Sequence, residues 1–287
     1  MTDPTFDETI TPAVETADVK PERWIKRHRV STRIWHWASA ALMIVLFMSG
    51  LMIFNAHPRL YWGHSGAHFD PAWLEIGSTE TTGYLRIGTA EIATTGVLGI
   101  QTDADGSQTR RAFPPWSTIP YHYDLAWARR WHLTAAWAFG VGTFAFMILS
   151  FLNGHAWRDL IPHRHEVKPN HLWRQCRHHA MFWLYREEVS ADYNILQKLA
   201  YLSVTGGLIP LVILTGLTMS PWINATLPWL VDVFGGRQTA RSLHFIAAWS
   251  LVAFVIVHLA MVILVGPINE IRSMITGWFR LPQERDK

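Results

Sequence analysis

The chain has 287 residues, of which 49% are hydrophobic and 16 are tryptophan, and it carries a formal charge of +3. Its single cysteine, Cys176, excludes an intrachain disulfide, a cysteine-rich zinc site, an all-cysteine iron–sulfur cluster and the paired-cysteine attachment of c-type haem. The average hydrophobicity does not separate a soluble protein from a membrane protein, because a soluble domain of this length also buries a large core.

Four long apolar stretches indicate membrane-spanning helices. They run from about residue 34 to 54, 131 to 152, 195 to 219 and 243 to 265. Each is close to or above the roughly 20 residues that a helix needs to cross a bilayer. Buried helices of a soluble protein are the alternative, but four such runs with almost no Asp, Glu or Lys are rare there. We therefore predict an all-α fold, an integral membrane four-helix bundle spanning residues 31–265.

Both termini are predicted to be cytoplasmic tails, residues 1–30 and residues 266–287. The first tail begins acidic and polar, without the basic-then-apolar layout of a cleaved signal peptide. Basic residues crowd the segment before the first span, the predicted inner loop 153–194 and the C-terminal tail, whereas the connection between spans three and four holds only Arg237 and Arg241. By the positive-inside rule, the basic segments face the cytoplasm. This predicts a multi-pass protein of the bacterial cytoplasmic (inner) membrane.

A long extracytoplasmic insert, residues 55–126, is predicted between the first two spans. It is rich in Gly, Pro and aromatic residues and is too long for a plain turn. Residues 84–100 alternate small, polar and β-branched types, which predicts a hairpin, and the segment from Asp103 to Gly106 predicts a turn. We expect a folded cap that meets a partner or covers a cofactor. The third span is predicted to be kinked by its small residues and its proline, Gly206, Gly207, Pro210 and Gly216.

Four histidines lie within the spans or at their rims: His36, His132, His244 and His258. Ionisable groups at membrane depth are costly and usually functional. A neutral histidine bonded to a neighbouring helix explains any one of them, but it explains all four poorly. His244 and His258 are fourteen residues apart, about 40° short of four helical turns, so both project from one face. Their axial separation of about 21 Å places them towards opposite sides of the membrane.

The partners of these two histidines follow from the order of the spans. The first span runs outwards, so His36 near its start lies at the inner level, where His258 also lies. The second span runs inwards, so His132 near its start lies at the outer level with His244. The four histidines therefore predict two sites with two imidazole ligands each.

Two haem b groups suit these two sites. Two axial imidazoles saturate the iron, so such a site transfers electrons and leaves no open position for oxygen chemistry. A zinc or copper site needs three or four convergent ligands, and the spans offer no Asp, Glu or Cys at these depths. Gly50, Gly140 and Gly142 leave room for a flat macrocycle, although helix packing explains them as well. Four arginines near the ligands either pair with haem propionates or anchor the interface: Arg33, Arg129, Arg130 and Arg241.

All four spans resemble the two-haem membrane cytochrome b family, which includes the cytochrome b subunits of formate dehydrogenase, nickel–iron hydrogenase and thiosulfate reductase and the bacterial cytochrome b561 proteins. The resemblance rests on three histidine motifs and on one motif before the third span. These are Arg33-Ile-Trp-His36-Trp, Arg130-Trp-His132, the fourteen-residue pair in the fourth span, and Tyr193-Asn194-Ile-Leu-Gln197-Lys198. The long insert, with Phe113-Pro-Pro-Trp116 and Pro120, is most similar to the thiosulfate-reductase branch.

The resemblance implies a quinone site beside the inner haem. In the family an Asn-x-Gly-Gln-Lys stretch before the third span helps to form that site, which implies that Asn194, Gln197 and Lys198 bind a ubiquinone or a menaquinone. Leu196 stands where the family has glycine, so the local backbone differs. The family also implies an extracytoplasmic redox subunit as partner, in this branch often a molybdenum oxidoreductase.

We interpret the chain as a transmembrane conduit for electrons between the quinone pool and that partner, as the cytochrome b subunit of a quinone-linked oxidoreductase. No residue is predicted to catalyse a further reaction, and no nucleic-acid partner is expected. One alternative is a stand-alone cytochrome b561-type superoxide:quinone oxidoreductase, which needs little outer structure. Another is a histidine-rich metal transporter, which needs a continuous polar path that these spans lack.

Overall fold

The computed structural model describes residues 23–102, 106–154, 173, 177 and 195–281, apart from the side chains of Leu196 and Gln197. Most of the predicted inner loop 153–194 therefore lies outside the described residues, as do Asn194 and the first part of the N-terminal tail. The statements below concern the described residues.

Helices dominate the described chain. Their bounds are α1 (Val30–Phe54), α2 (Leu125–Leu152), α3 (Ile195–Ser203), α4 (Ile209–Met219), α5 (Pro221–Thr226), α6 (Trp229–Val233), α7 (Arg237–Val265) and α8 (Pro267–Thr276). Helices α1, α2 and α7, and the segment Lys198–Met219 of α3 and α4, are each long and apolar enough to cross a membrane. This confirms the four predicted spans, three of which begin several residues earlier than their apolar stretches. Arginines near the beginnings of these helices interrupt the apolar run without interrupting the helix.

Two local features explain how the spans are shaped. Asp124 caps α2, because its carboxylate accepts a hydrogen bond from the Trp127 backbone N–H at 2.9 Å. A π-helical turn, Val204–Leu208, separates α3 from α4 and contains two of the three glycines of the predicted kink, Gly206 and Gly207. Pro210 then occupies the first turn of α4, where its missing N–H costs nothing. The third span is therefore interrupted where the sequence indicated.

The spans pack as two pairs. Helix α1 lies against α2, and α4 lies against α7. We call the end of the bundle next to residues 55–124 the insert side, and the end next to residues 23–29 and 266–281 the terminal side. Helix α1 runs from the terminal side to the insert side, whereas α7 runs from the insert side to the terminal side. These two helices, one from each pair, are therefore antiparallel.

The insert between α1 and α2 contains β-structure, which corrects the all-α prediction. Strands β2 (Arg59–Leu60), β3 (Leu74–Ser78), β4 (Gly83–Ile87) and β5 (Ala90–Ala93) form one antiparallel sheet in that order, and β6 (Gly99–Thr102) pairs with β7 (Gln108–Arg111). The predicted hairpin is therefore present as β4 and β5, whereas the predicted turn from Asp103 to Gly106 falls mostly on residues 103–105, which lie outside the described residues. The all-α class fails because a seventy-residue polar segment outside the membrane can satisfy its backbone groups in a sheet as well as in a helix.

The insert is joined to the bundle by a shared apolar core. Its buried members come from the end of α1, the first sheet and the segment before α2: Leu51, Phe54, Leu60, Leu74, Ile76, Ala112 and Phe113. The ring of Phe54 lies 4.8 Å from that of Phe245 on α7 and 5.7 Å from that of Phe113. Burial of this apolar surface holds the sheet, α1 and α7 together on the insert side.

One carboxylate organises the face of the sheet. Glu75, which is 6% exposed, pairs with Arg59 at 2.5 Å and with Arg86 at 3.0 Å and accepts a hydrogen bond from the Tyr84 hydroxyl at 3.0 Å. Burial alone would raise the pKa of Glu75, but the hydrogen bonds from Arg59 and Tyr84 and the two positive charges lower that pKa. The carboxylate therefore stays ionised and ties β2, β3 and β4 together.

The insert also caps the helix that carries two of the predicted ligands. Gly63 places its carbonyl oxygen 3.0 Å from the Gln238 N–H and 3.2 Å from the Thr239 N–H, in the first turn of α7. These donors have no partner within their own helix. Gly236 makes the approach possible, because its φ is +111° and a Cβ at this position would overlap the Gly63 carbonyl group.

The terminal side carries structure in segments that the sequence indicated only as tails. Strand β1 (Trp24–Lys26), before α1, pairs with β8 (Trp278–Arg280), after α8. Arg27 forms an ion pair with Glu270 of α8 at 3.2 Å. Helix α8 ends at Gly277, whose φ of +88° suits the left-handed conformation of a helix end. The two ends of the described chain therefore close the bundle on this side.

We expect the substitution Gly236→Ala to lower the stability of the bundle. The added methyl group displaces the Gly63 carbonyl and strains the left-handed backbone, at a cost of about 1–3 kcal/mol. Thermal denaturation of the purified protein in mild detergent measures the change. Gly140→Ala on α2 is the matched control, because a Cβ there meets no heavy atom within 4 Å. Equal melting of the two variants would contradict the capping role of Gly63.

Candidate metal centres in the helix bundle

Helix α7 presents two histidines to the other helix pair. His244 lies near its insert-side end, and His258 lies fourteen residues further along. Both side chains meet a histidine from α1 or α2, so the predicted shared face is present. The helix is continuous from Arg237 to Val265, and its rise keeps the two histidines about 21 Å apart along the axis.

The terminal-side pair joins α1 to α7. The rings of His36 and His258 have centroids 6.3 Å apart and planes inclined at 58°. Trp37 lies edge-on to His36 at 5.1 Å, and Phe254 stacks on His258 at 5.9 Å. The Nδ1 atom of His36 is buried and has no hydrogen-bond partner among the described residues. The His36–His258 pair therefore lies among aromatic side chains, and the Nδ1 atom of His36 is left to form a hydrogen bond with a further group.

The insert-side pair joins α2 to α7. The rings of His132 and His244 have centroids 6.3 Å apart, the same separation as in the first pair, and planes inclined at 63°. The structure therefore brings together the four predicted histidines in the two predicted combinations.

Hydrogen bonds fix the orientation of both insert-side rings. His132 Nδ1 lies 3.1 Å from the carbonyl oxygen of Leu46, and His244 Nδ1 lies 2.9 Å from that of Val212. A carbonyl oxygen only accepts, so each Nδ1 carries the proton and donates it. The Nε2 atom of each ring is then unprotonated, which is the form that binds a metal ion.

Two hydroxyl groups complete this arrangement, and the sequence analysis did not single them out. Ser49 Oγ lies 3.1 Å from His132 Nδ1, and Thr215 Oγ1 lies 3.2 Å from His244 Nδ1. Each hydroxyl also donates to a carbonyl of its own helix four residues earlier, at 2.6 Å. Both residues are fully buried inside apolar spans. In the sequence, the signal for Ser49 and Thr215 was a polar residue within an apolar span.

Glycines give the insert-side rings their space. A Cβ on Gly50 would lie 3.4 Å from the His132 ring, and one on Gly216 would lie 3.2 Å from the His244 ring. Each ring therefore packs directly against the backbone of a neighbouring helix. Gly142 does not leave free space for a macrocycle, because Trp35 packs on it, whereas Gly140 faces open space.

Each pair has the geometry of a two-imidazole metal site. A metal–nitrogen bond is about 2.0 Å long, so a metal bound between two imidazoles holds their ring centres roughly 6 Å apart. The ring centres are 6.3 Å apart in both pairs. Within the described part of the chain, no group of three or more His, Cys, Asp or Glu side chains converges on one point. A metal held between two imidazoles here would therefore need its remaining ligands from a group other than these side chains.

The predicted quinone residues are only partly visible. Lys198 lies in α3 and is 8% exposed, so its side chain is buried within the protein. Asn194 and the side chain of Gln197 lie outside the described residues. Helix α3 begins at Ile195, on the same side of the bundle as the His36–His258 pair. The grouping of Asn194, Gln197 and Lys198 therefore stays a prediction.

The four arginines near the ligands divide into two types. Arg33 donates to the Ile275 carbonyl, and Arg241 donates to the His57 carbonyl at 2.5 Å, so both bond to a carbonyl outside their own helix. Arg129 is exposed, and Arg130 is exposed with its guanidinium 5.1 Å from the Trp127 ring centre. Of the four, Arg241 is the one that bonds to the segment after α1 in a partly buried position.

Comparison with known proteins agrees with this geometry. The family model for prokaryotic cytochrome b561 matches residues 27–277. No solved structure gives a significant match. The chain belongs to the prokaryotic cytochrome b561 family, which implies b-type haem and electron transfer in a membrane.

The relatives are subunits of oxidoreductases. A protein-methionine-sulfoxide reductase subunit of Azospira oryzae is 27% identical over 81% of this chain and 88% of its own length. A Ni/Fe-hydrogenase B-type cytochrome subunit of Azotobacter vinelandii is 25% identical over 57% of this chain and 73% of its own length. The corresponding subunit of Cupriavidus necator is 24% identical over 88% of this chain and 85% of its own length. These names describe subunits of a reductase and of hydrogenases.

Proposed function

We propose that the chain carries electrons across the membrane through two b-type haems, one between the rings of each histidine pair. The observation that carries this proposal is the pair of equal 6.3 Å ring separations at opposite ends of one helix. When bound by two imidazoles, haem supplies one-electron exchange at an iron without an open coordination position. The protein orients the imidazoles and surrounds them with apolar side chains.

Replacing either histidine of one pair is expected to remove the same haem. His36→Ala and His258→Ala should each lower the haem content from about two per chain to about one, and His132→Ala and His244→Ala should remove the other haem, because one imidazole cannot hold a bis-histidine site. Haem content and low-temperature absorption spectra of the purified variants measure this. His122→Ala, at an exposed histidine, is the control. Losses that group the histidines differently would contradict the pairing.

We also propose that the terminal side faces the cytoplasm and that the insert side faces outwards. The excess of Arg and Lys in the terminal segments and in the 153–194 loop supports this orientation. A redox partner subunit then docks on the insert, near the His132–His244 pair. The names of the relatives favour a reductase or a hydrogenase subunit as this partner, and a molybdenum oxidoreductase remains a prediction from the family resemblance.

Reporter fusions are expected to show this orientation. A fluorescent protein fused after Lys287 should fluoresce, because that end remains in the cytoplasm. Alkaline phosphatase inserted between Asp103 and Gly106 should be active, because it folds outside. The same phosphatase fused after Lys287 is the matched control and should be inactive. The reverse pattern of activities would overturn the orientation.

We propose the quinone site at the terminal side, beside the His36–His258 pair. Lys198, which is buried, and its neighbours Asn194 and Gln197 supply hydrogen-bond donors for a quinone carbonyl. The position of α3 on this side supports the assignment. There a quinone headgroup can lie close both to the aqueous phase, which supplies protons, and to the His36–His258 pair. A capping role for Asn194 and a surface position for Gln197 are the alternative.

We expect Asn194→Ala, Gln197→Ala and Lys198→Ala to slow electron exchange between quinone and the terminal-side haem by about tenfold, the effect of losing one hydrogen bond of about 1.4 kcal/mol. Stopped-flow reduction of the haems by a quinol analogue measures the rate, and absorbance confirms that both haems remain. Gln238→Ala, in the first turn of α7 on the insert side, is the matched control. Unchanged rates and inhibitor affinity in all three variants would move the site elsewhere.

A further inference from the structure

Arg241 is a partly buried cation without a carboxylate partner among the described residues. Its Nη2 donates to the His57 carbonyl at 2.5 Å, and its guanidinium carbon lies 5.7 Å from the centre of the Phe54 ring. Across the described ranges, no Asp or Glu forms an ion pair with it, whereas Arg27, Arg59 and Arg86 each have one. Removing a charge from water without a counter-charge is unfavourable. The site therefore has capacity for an anion.

His57 adds an unsatisfied ring nitrogen at the same place. Its ring stacks on Tyr61 at 5.7 Å, and its Nε2 is buried without a hydrogen-bond partner among the described residues. Burial, followed by the positive charges of Arg241 and Arg59, lowers the pKa of His57, so the ring is neutral and offers one N–H. A guanidinium and an imidazole N–H together recognise a carboxylate.

The position of Arg241 relates it to the insert-side histidine pair. It precedes His244 by three residues on α7, which is about 4.5 Å along the axis and 60° around it. It faces Phe54 and His57, which belong to the end of α1 and to the segment that follows, so it points into the space between the two helix pairs. The other cation of this helix end, Arg237, instead donates to the Met219 carbonyl at 2.8 Å.

We propose that Arg241 and His57 bind the propionate carboxylates of the haem at the His132–His244 pair. The inference rests on the proposed function, which places a haem there. Haem b is apolar except for its iron and two propionates, so these are the anionic groups that it brings to the site. Binding of the propionates neutralises Arg241 and satisfies His57 Nε2, and it directs the polar edge of the haem towards the insert.

A purely structural role for Arg241 is the competing explanation. In that case the residue only ties the segment after α1 to α7 through the His57 carbonyl. Ser242 provides a control for this role, because its hydroxyl donates to the Tyr61 carbonyl at 2.6 Å and accepts from Trp73 Nε1 at 2.9 Å. Ser242→Ala loosens the same contact between insert and helix without changing the charge.

The experiment compares haem b with its dimethyl ester, in which both propionates are neutral. The full chain, produced without haem and carrying His258→Ala so that only the insert-side site is filled, is titrated with each compound and followed by absorbance. We expect at least about tenfold tighter binding of haem than of the ester, the range for hydrogen bonds to charged groups. In Arg241→Gln this preference should fall to about twofold or less, and Ser242→Ala should keep it.

The results separate the inference from the proposed function. An unchanged preference in Arg241→Gln, or an equal loss in Ser242→Ala, would overturn the inference while haem binding itself still supports the function. Absence of haem binding in the parent chain would overturn both. If Arg241→Gln does not accumulate, Arg241→Lys and His57→Ala decide instead. Lysine should restore part of the preference and the loss of His57 should weaken it, and failure of both expectations would contradict the inference.

Discussion

The insert-side metal centre depends on the hydrogen bonds that the Nδ1 atoms of His132 and His244 make inside the apolar bundle. A bare polar nitrogen in such an environment is costly. At the insert-side pair, carbonyl groups of α1 and α4 accept the Nδ1 protons of His132 and His244. This leaves the Nε2 atoms for a metal between the helix pairs. The hydroxyls of Ser49 and Thr215 lie beside the same two Nδ1 atoms and add a second polar contact to each ring.

The insert contributes to this arrangement although it lies outside the spans. It caps α7 through Gly63, holds the helix by Ser242 and Trp73, and places His57 beside Arg241. The helix that carries one ligand of each site therefore has a fixed start. The insert is a folded unit because of its buried Glu75 network and the apolar core that it forms with Phe54. A folded surface next to the His132–His244 pair suits the docking of a redox subunit, which supports the proposed partner.

The two sides of the bundle differ in chemistry. The insert side combines a sheet, aromatic packing and inward-pointing Arg241. The terminal side combines the β1–β8 pair, the Arg27–Glu270 ion pair and buried Lys198. Membership of the cytochrome b561 family explains the common core of the bundle, and the different ends accord with relatives that serve different oxidoreductases.

The sequence by itself determined the four spans, the four histidines and their combination into two pairs. Bilayer thickness sets the length of a span, and fourteen residues on a helix fix a common face, so both follow from local periodicity. The tertiary structure decided what depends on neighbours distant in the chain. Ser49 meets His132 across 83 positions, Gly63 caps a helix that begins at Arg237, and Arg241 reaches His57. The strands of the insert and the β1–β8 pair likewise form only when separate segments meet, because a strand completes its hydrogen bonds with a partner, whereas a helix completes them within itself.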